Sequence, residues 1–383
     1  MKKIVCFMGI LLLVLCSAIP VFAEEEGNKE ESYYWQQYEE SGAADLPDQL
    51  PDDTRNALEE IGISGADWES IGNLSSDDIF AQIAEMTGEK SEAPLKAAVS
   101  AIGIILICAL LNSLRLSFGS RSMDGIISLV GTLCLCLMVV TPVIACIQST
   151  ADVIQGASTF LLACIPVMAG VMVAGGQTVS AGTYSTLMFG ACNVISLIAS
   201  YFIVPVLNIF LAVSISSANA PSLHLSGLCD SFYKVAKWVL GLCMAVFTGV
   251  LMIQTIISAA ADGSGTKAAK FVLSSFVPVV GSALGEAFTT VQGCIRLLKS
   301  GVSAFTLLAS AFIFLPVILQ NVIWLLALHV CAGIGEIFEL REMTTILKAA
   351  AKVVSMLLSI ILCSIAILMI STVIMITLGG AVF

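Results

Sequence analysis

Glu286 is the residue whose chemistry most needs explaining, because this carboxylate sits in the apolar run 271–293 beside Pro278, Gly281 and Gly285. An ionised side chain at mid-depth in a bilayer is costly. The run is therefore expected to be re-entrant or interfacial, or to face a wet cavity or a partner helix. Other chemistry is sparse. His224 and His329 stand alone, with no Ser or Cys nucleophile at motif spacing and no phosphate-cradling lysine loop. No catalysis, metal or cofactor is expected. Of the thirteen Cys, Cys108, Cys134, Cys136, Cys146, Cys164, Cys192, Cys243 and Cys363 lie inside apolar runs, and no Cys-x-x-Cys pair occurs. They read as small apolar helix residues. Asn112, Asn193, Asn208, Gln254 and Gln320 are expected to hydrogen-bond between helices, with the lining of a conduit as the sharper alternative.

The elements that would hold these residues follow from composition. Of 383 residues, 58% are hydrophobic and 12% charged, with a mean hydropathy of +0.98. A soluble domain carries roughly a quarter charged residues, so the chain is expected to be an all-α, polytopic membrane protein. Lys2 and Lys3, the apolar stretch from Ile4 to Ile19 and Val21-Phe22-Ala23 before Glu24 give the layout of a secretory signal over residues 1–23. An uncleaved anchor helix is the other reading. The net charge of −11 is unevenly spread: residues 24–93 hold 20 Asp/Glu and 3 Lys/Arg, residues 94–383 hold 8 and 12. With no basic patch in the acidic block, nucleic acid is excluded as a partner.

The acidic segment 24–93 has no Cys, so its fold is independent of disulfides. Tyr33, Tyr34, Trp35 and Tyr38 suit a membrane interface. Ser75 with Asp78 resembles a capping box, and Ile79, Phe80, Ile83 and Met86 share a face in a helix expected over Ser75 to Gly88.

Apolar runs at 97–114, 125–147, 154–174, 183–216, 238–261, 301–328 and 351–378 reach membrane-spanning length, and 271–293 is weaker. Residues 161–256 align on 272–370 at an offset of 111–112, which suggests a repeated three-segment unit: two helices in 94–150, then units at 151–262 and 263–383. Pro142, Pro166, Pro205, Pro278 and Pro316 lie inside apolar runs, where kinks or breaks are expected. Such breaks occur in transporters but also as structural kinks. Gly175-Gly176-Gln177 is the expected sharp reversal, and Asp262-Gly263 a turn before Lys267 and Lys270. Seven passes leave almost no Lys/Arg bias between the two sides. Eight passes with inverted units, or re-entrant first segments in each unit, both give seven against four by the positive-inside count.

The order of features from Phe247 onward is distinctive. It runs Gly249, Gln254, Ala259-Ala260-Ala261-Asp262-Gly263, Lys267-Ala268-Ala269-Lys270-Phe271, Ser275-Phe276-Val277-Pro278-Val279-Val280-Gly281 and Glu286-Ala287. Leu297-Leu298-Lys299-Ser300-Gly301-Val302, Pro316 and Ile374 to Gly380 continue it, and Gly175-Gly176 with Ser180-Ala181 precede it. The chain resembles the stage III sporulation protein AE family of endospore-forming bacteria. Two places depart from the pattern: His329 and its neighbours replace a lysine-bearing segment, and Glu336 to Glu342 replaces a Gly/Pro-rich turn.

The resemblance implies a multi-pass protein of the mother-cell membrane around the forespore, belonging to the channel or feeding complex that joins the two cells. It also implies other mother-cell channel proteins as partners, with ring-forming proteins of the intermembrane space meeting the acidic segment, and membrane lipid around the helices. A permease-like transporter of a small solute is the alternative, motivated by the repeat, the prolines and Glu286. The residues to follow are Glu286, Pro166, Pro278, Gly281, Gly175, Gly176, Lys267, Lys270 and Gln254.

Overall fold

The computed structural model describes residues 28–72, 74–118, 124–219, 231, 233–235, 237–253, 256–257 and 281–378. The signal segment, Gln254, Lys267, Lys270, Pro278 and the boundary at 262 lie outside them. Among the described residues the structure is helical, with no strand.

The acidic segment opens with a small domain: α1 (Asn28–Glu40), two short 3-10 turns, α2 (Asp52–Glu60) and α3 (Trp68–Gly72). Tyr34 and Tyr38, four residues apart on one face of α1, are buried and stack with ring centroids 6.2 Å apart. Trp35 meets both rings edge-on, at 5.4 and 5.5 Å. Tyr34 and Tyr38 are thus buried in the hydrophobic cluster that includes Leu46, Leu58 and Ile63, whereas Tyr33 is half-buried and Trp35 exposed. The Tyr38 hydroxyl accepts the Ala66 backbone N–H at 3.1 Å. Burial pushes the Tyr38 phenol above its ordinary value of 10.0; the Ala66 bond opposes this and the Asp67 carboxylate adds to it. Asp67 caps α3 by accepting the Ser70 N–H at 2.7 Å. Glu39, Asp45, Asp48, Asp52, Asp53 and Glu59 stay exposed, so apolar groups face inward and carboxylates outward.

Next comes α4 (Ser76–Phe118), where the Ser75 hydroxyl accepts the Asp77 N–H at 3.3 Å. The expected N-terminal cap is in place, but the helix continues past Gly88 and through Pro94. The boundary drawn at residue 93 therefore falls inside a helix. Phe80 is 54% exposed, while Ile79, Ile83 and Met86 are half-buried. Spacings of four and three put 79, 83 and 86 on one stripe and leave position 80 beside it. Gln82 points inward instead and donates to Glu60 at 2.6 Å, tying α4 to α2.

Two long helices make the spine: α5 (Asp124–Ala174) with 51 residues and α9 (Gly281–Ile337) with 57. At 1.5 Å per residue α5 is about 77 Å long, roughly two and a half hydrocarbon thicknesses. The pair is antiparallel. Asn321 meets Thr150, Thr306 meets Cys164, and Phe160 meets Phe305 edge-on at 6.4 Å. The apolar runs 125–147 and 154–174, counted above as separate spans, are one helix, which corrects both the seven-pass and eight-pass layouts. The polar stretch between them misled because Gln148, Asp152 and Gln155 are spaced by four and three. They form an exposed stripe on a continuing helix, while Thr150 turns inward to Asn321.

Around the spine lie α6 (Thr178–Leu197), a π-helical turn (Ile198–Ile203), α7 (Val204–Asn219), α8 (Tyr233–Ile253) and α10 (Arg341–Leu378). Among the described residues, five helices are long and apolar enough to cross a membrane: α4, α5, α8, α9 and α10. The expected proline breaks take a milder form. Pro142, Pro166 and Pro316 sit inside α5 and α9 without ending them. Pro205 follows directly on the π turn, where the missing N–H and the ring clash are accommodated by the wider winding.

Candidate functional site

Two polar features lie at opposite ends of the spine. At the first, α5 reverses into α6. The Gly176 N–H bonds to the Val173 carbonyl at 2.9 Å and the Gln177 N–H to the Met172 carbonyl at 2.9 Å, with Gly176 at φ 78°. This is the Schellman arrangement, whose left-handed residue is most cheaply glycine. Gly175 is needed for a different reason: a Cβ there would lie 3.3 Å from Ile295 Cγ2 of α9.

Lys299 of α9 reaches into this reversal. It is 6% exposed, and its Nζ donates to Gln177 Oε1 at 3.1 Å. Neither Lys299 nor its neighbour Arg296 is in a loop: both are inside α9, and Lys299 is buried. The missed signal is local. Ile295, Leu298 and Val302 flank Lys299 at helical spacing and are all buried, so the helix turns this lysine toward the core. Higher on α5, a Cβ at Gly42 of the acidic domain would lie 3.8 Å from Val167 Cγ2. Val167 is the neighbour of exposed Pro166, so the domain is seated on the same half of the spine as the Lys299 node.

Of the residues selected from sequence, Gly175 and Gly176 meet at this node, and Pro166 lies about two and a half turns before it on α5. Gly281 opens α9, and Glu286 belongs to its first two turns. Pro278, Lys267, Lys270 and Gln254 lie outside the described residues. Between the two ends the spine is held by polar contacts that the sequence reading assigned elsewhere. The Asn193 and Asn321 amides both bond back to their own helices, at the Phe189 (2.8 Å) and Val317 (2.9 Å) carbonyls, and buried Asn321 also lies 3.5 Å from the Thr150 hydroxyl of α5.

The second feature lies where α9 turns into α10. A cleft of about 400 Å³ opens between α8, α9 and α10. Its polar groups are Tyr233, His329, Glu336, Lys348, Lys352 and Ser355, and Ala332, Gly333 and Ala351 supply the small residues of its lining. Lys348 is ion-paired with Glu336, both side chains about half exposed, and His329 Nδ1 lies 2.7 Å from the Leu325 carbonyl oxygen. The adjoining turn repeats the Schellman bonds: the Glu339 N–H to the Glu336 carbonyl at 3.0 Å and the Leu340 N–H to the Gly335 carbonyl at 3.0 Å. Here the left-handed residue, at φ 56°, is Glu339 rather than glycine.

Neither feature assembles a nucleophile with a base, and among the described residues no group of His, Cys, Asp or Glu could hold a metal ion. What the geometry offers is a docked acidic domain, a helix reversal with a buried lysine beneath it and an open cationic cleft.

The family model for stage III sporulation protein AE matches residues 68–379. A protein named stage III sporulation protein AE from Bacillus subtilis (strain 168) is 24% identical over 319 residues, covering 76% of this chain and 80% of that one. No solved structure matches the chain.

Proposed function

Because the chain belongs to the stage III sporulation protein AE family, we propose that it is a multi-pass component of the channel complex joining mother cell and forespore. On this reading it is an assembly platform or conduit subunit, with its acidic domain on the extracytoplasmic side meeting other channel proteins. The carrying observation is how that domain is held. It packs against α9 through α1, α2 and α3, and Gln82 clamps it to α4. Its carboxylates are thereby presented in a fixed place rather than on a tether. A partner with a basic face would gain on-rate and register from such a surface.

The described cations give no bias that would orient the chain: Lys234, Lys237, Arg341, Lys348 and Lys352 lie at the cleft end, against Lys29, Arg55, Lys90, Arg296 and Lys299 toward the acidic domain. The orientation rests on the signal-like stretch before the acidic domain, which puts that domain outside and the cleft on the cytoplasmic side. A permease of small solutes is the weaker reading. Among the described residues the polar cleft lies at the ends of α9 and α10, whereas transporter sites lie near the midplane.

Crosslinking and affinity purification of the tagged full-length protein from sporulating cells tests the proposal. Recovery with other channel proteins from the membrane around the forespore is expected. A protein recovered alone, or spread evenly over vegetative membranes, would overturn it.

A further inference from the structure

The cleft at the α9–α10 turn combines features that suit one class of ligand. Two ammonium groups, Lys348 and Lys352, face it together with a single carboxylate, Glu336. Among the described lining residues the ammonium groups outnumber the carboxylates by one, which suits a phosphodiester. Both lysines already have a partner, Lys348 in Glu336, and the three donors of an ammonium leave each able to hold a phosphate oxygen as well. Tyr233 and Ser355 add hydroxyl groups at the same opening.

The surroundings distinguish a lipid from a soluble anion. Beside His329 on α9, Leu326 and Val330 are 50% and 56% exposed. Along α8 from Tyr233, the side chains of Trp238, Leu242 and Val246 also face outward. A polar, cation-rich opening at the end of apolar helices, continued by apolar side chains running along those helices, is the shape of a headgroup with its acyl chains.

We infer that this cleft binds the phosphodiester headgroup of an anionic phospholipid, with Lys352 and Lys348 as the phosphate-holding groups and the α8 and α9 faces as the bed for the acyl chains. The site would fix α8 against the α9–α10 pair, which otherwise meet there across an open cleft. The inference does not depend on the sporulation role, because its test uses purified protein alone.

The full-length protein, delipidated in a neutral detergent, is titrated with phosphatidylglycerol, with phosphatidylcholine and with inorganic phosphate, and its thermal unfolding is followed. Phosphatidylglycerol should raise the unfolding temperature, while phosphatidylcholine and phosphate leave it unchanged. Lys352→Gln should weaken the phosphatidylglycerol response roughly fivefold. Glu336→Gln, which removes the competing carboxylate, should strengthen it, and Arg296→Gln at the far end should not alter it. Equal responses to the two lipids would overturn the assignment, as would a phosphatidylglycerol response that Lys352→Gln and Glu336→Gln leave untouched. A response to phosphate alone would reject the lipid in favour of a free anion. If Lys352→Gln does not fold, the Glu336→Gln comparison decides the matter by itself.

Discussion

The reversal at Gly176 and the reversal at Glu339 close with the same pair of backbone bonds, yet one covers a buried lysine and the other borders a wet cleft. At Gly176 the left-handed residue is glycine, its neighbour Gly175 lets α9 approach, and Gln177 accepts from Lys299. At Glu339 a side chain is tolerated in the left-handed region, and the nearby cations are exposed. The difference teaches where this molecule needs geometry and where it does not. The end next to the acidic domain is built tightly; the end next to the cleft carries strain on an open surface.

Breaking the tight end should have the largest effect. Gln177→Leu removes an acceptor from a buried ammonium and should cost about 1.5–3 kcal/mol, read as a lower unfolding temperature of the purified protein. Gly176→Val forces a β-branched residue into a left-handed conformation and should cost at least ~1–2 kcal/mol. If that variant melted like the wild type, the turn would not have the strain assigned to it.

The open end should respond in the opposite direction. Glu339→Gly relieves the left-handed strain and should stabilise the protein by about 0.5–1 kcal/mol after the entropy of glycine is set against it. Breaking the half-exposed pair by Lys348→Gln, in lipid-free detergent, should shift stability by less than ~0.5 kcal/mol. A loss as large as that of Gln177→Leu would erase the contrast between the two ends.

Tyr38 sharpens the comparison for the acidic domain. Its raised phenol pKa means that the folded domain keeps a proton the unfolded chain gives up. The stability it contributes is full below pH about 10 and is lost as pH rises above that value. Tyr38→Phe removes this dependence but leaves the Ala66 N–H without its acceptor. The variant should therefore be less stable at neutral pH and lose less on going to high pH, as judged by near-ultraviolet circular dichroism.

The helical membrane character, the cap at Ser75 and the reversal at Gly175-Gly176 were all legible in the sequence, because each depends on contacts within a few residues. The readings that failed depended on neighbours far along the chain. Gln148, Asp152 and Gln155 looked like a loop until their spacing on one exposed stripe was set against Thr150 facing Asn321. Asn193 and Asn321 both bond back to their own helices, and only the packing of α5 on α9 brings Asn321 within 3.5 Å of Thr150 as well. Lys299 is the exception: its burial follows locally from Ile295, Leu298 and Val302 at helical spacing, and only its partner Gln177 depends on where α5 ends. In the aromatic cluster the i,i+4 spacing of Tyr34 and Tyr38 puts those two rings in the core and leaves Trp35 on the surface.

The central claim is that the acidic domain, fixed on the membrane bundle, presents carboxylates to partner proteins of the channel. Its most direct test is to replace exposed Glu39, Asp45 and Asp48 together by Lys in the tagged full-length protein, then crosslink and purify it from sporulating cells beside the wild type. The account predicts that both proteins accumulate in the membrane around the forespore and that only the wild type brings channel proteins with it. Equal recovery of those proteins by the variant would contradict it.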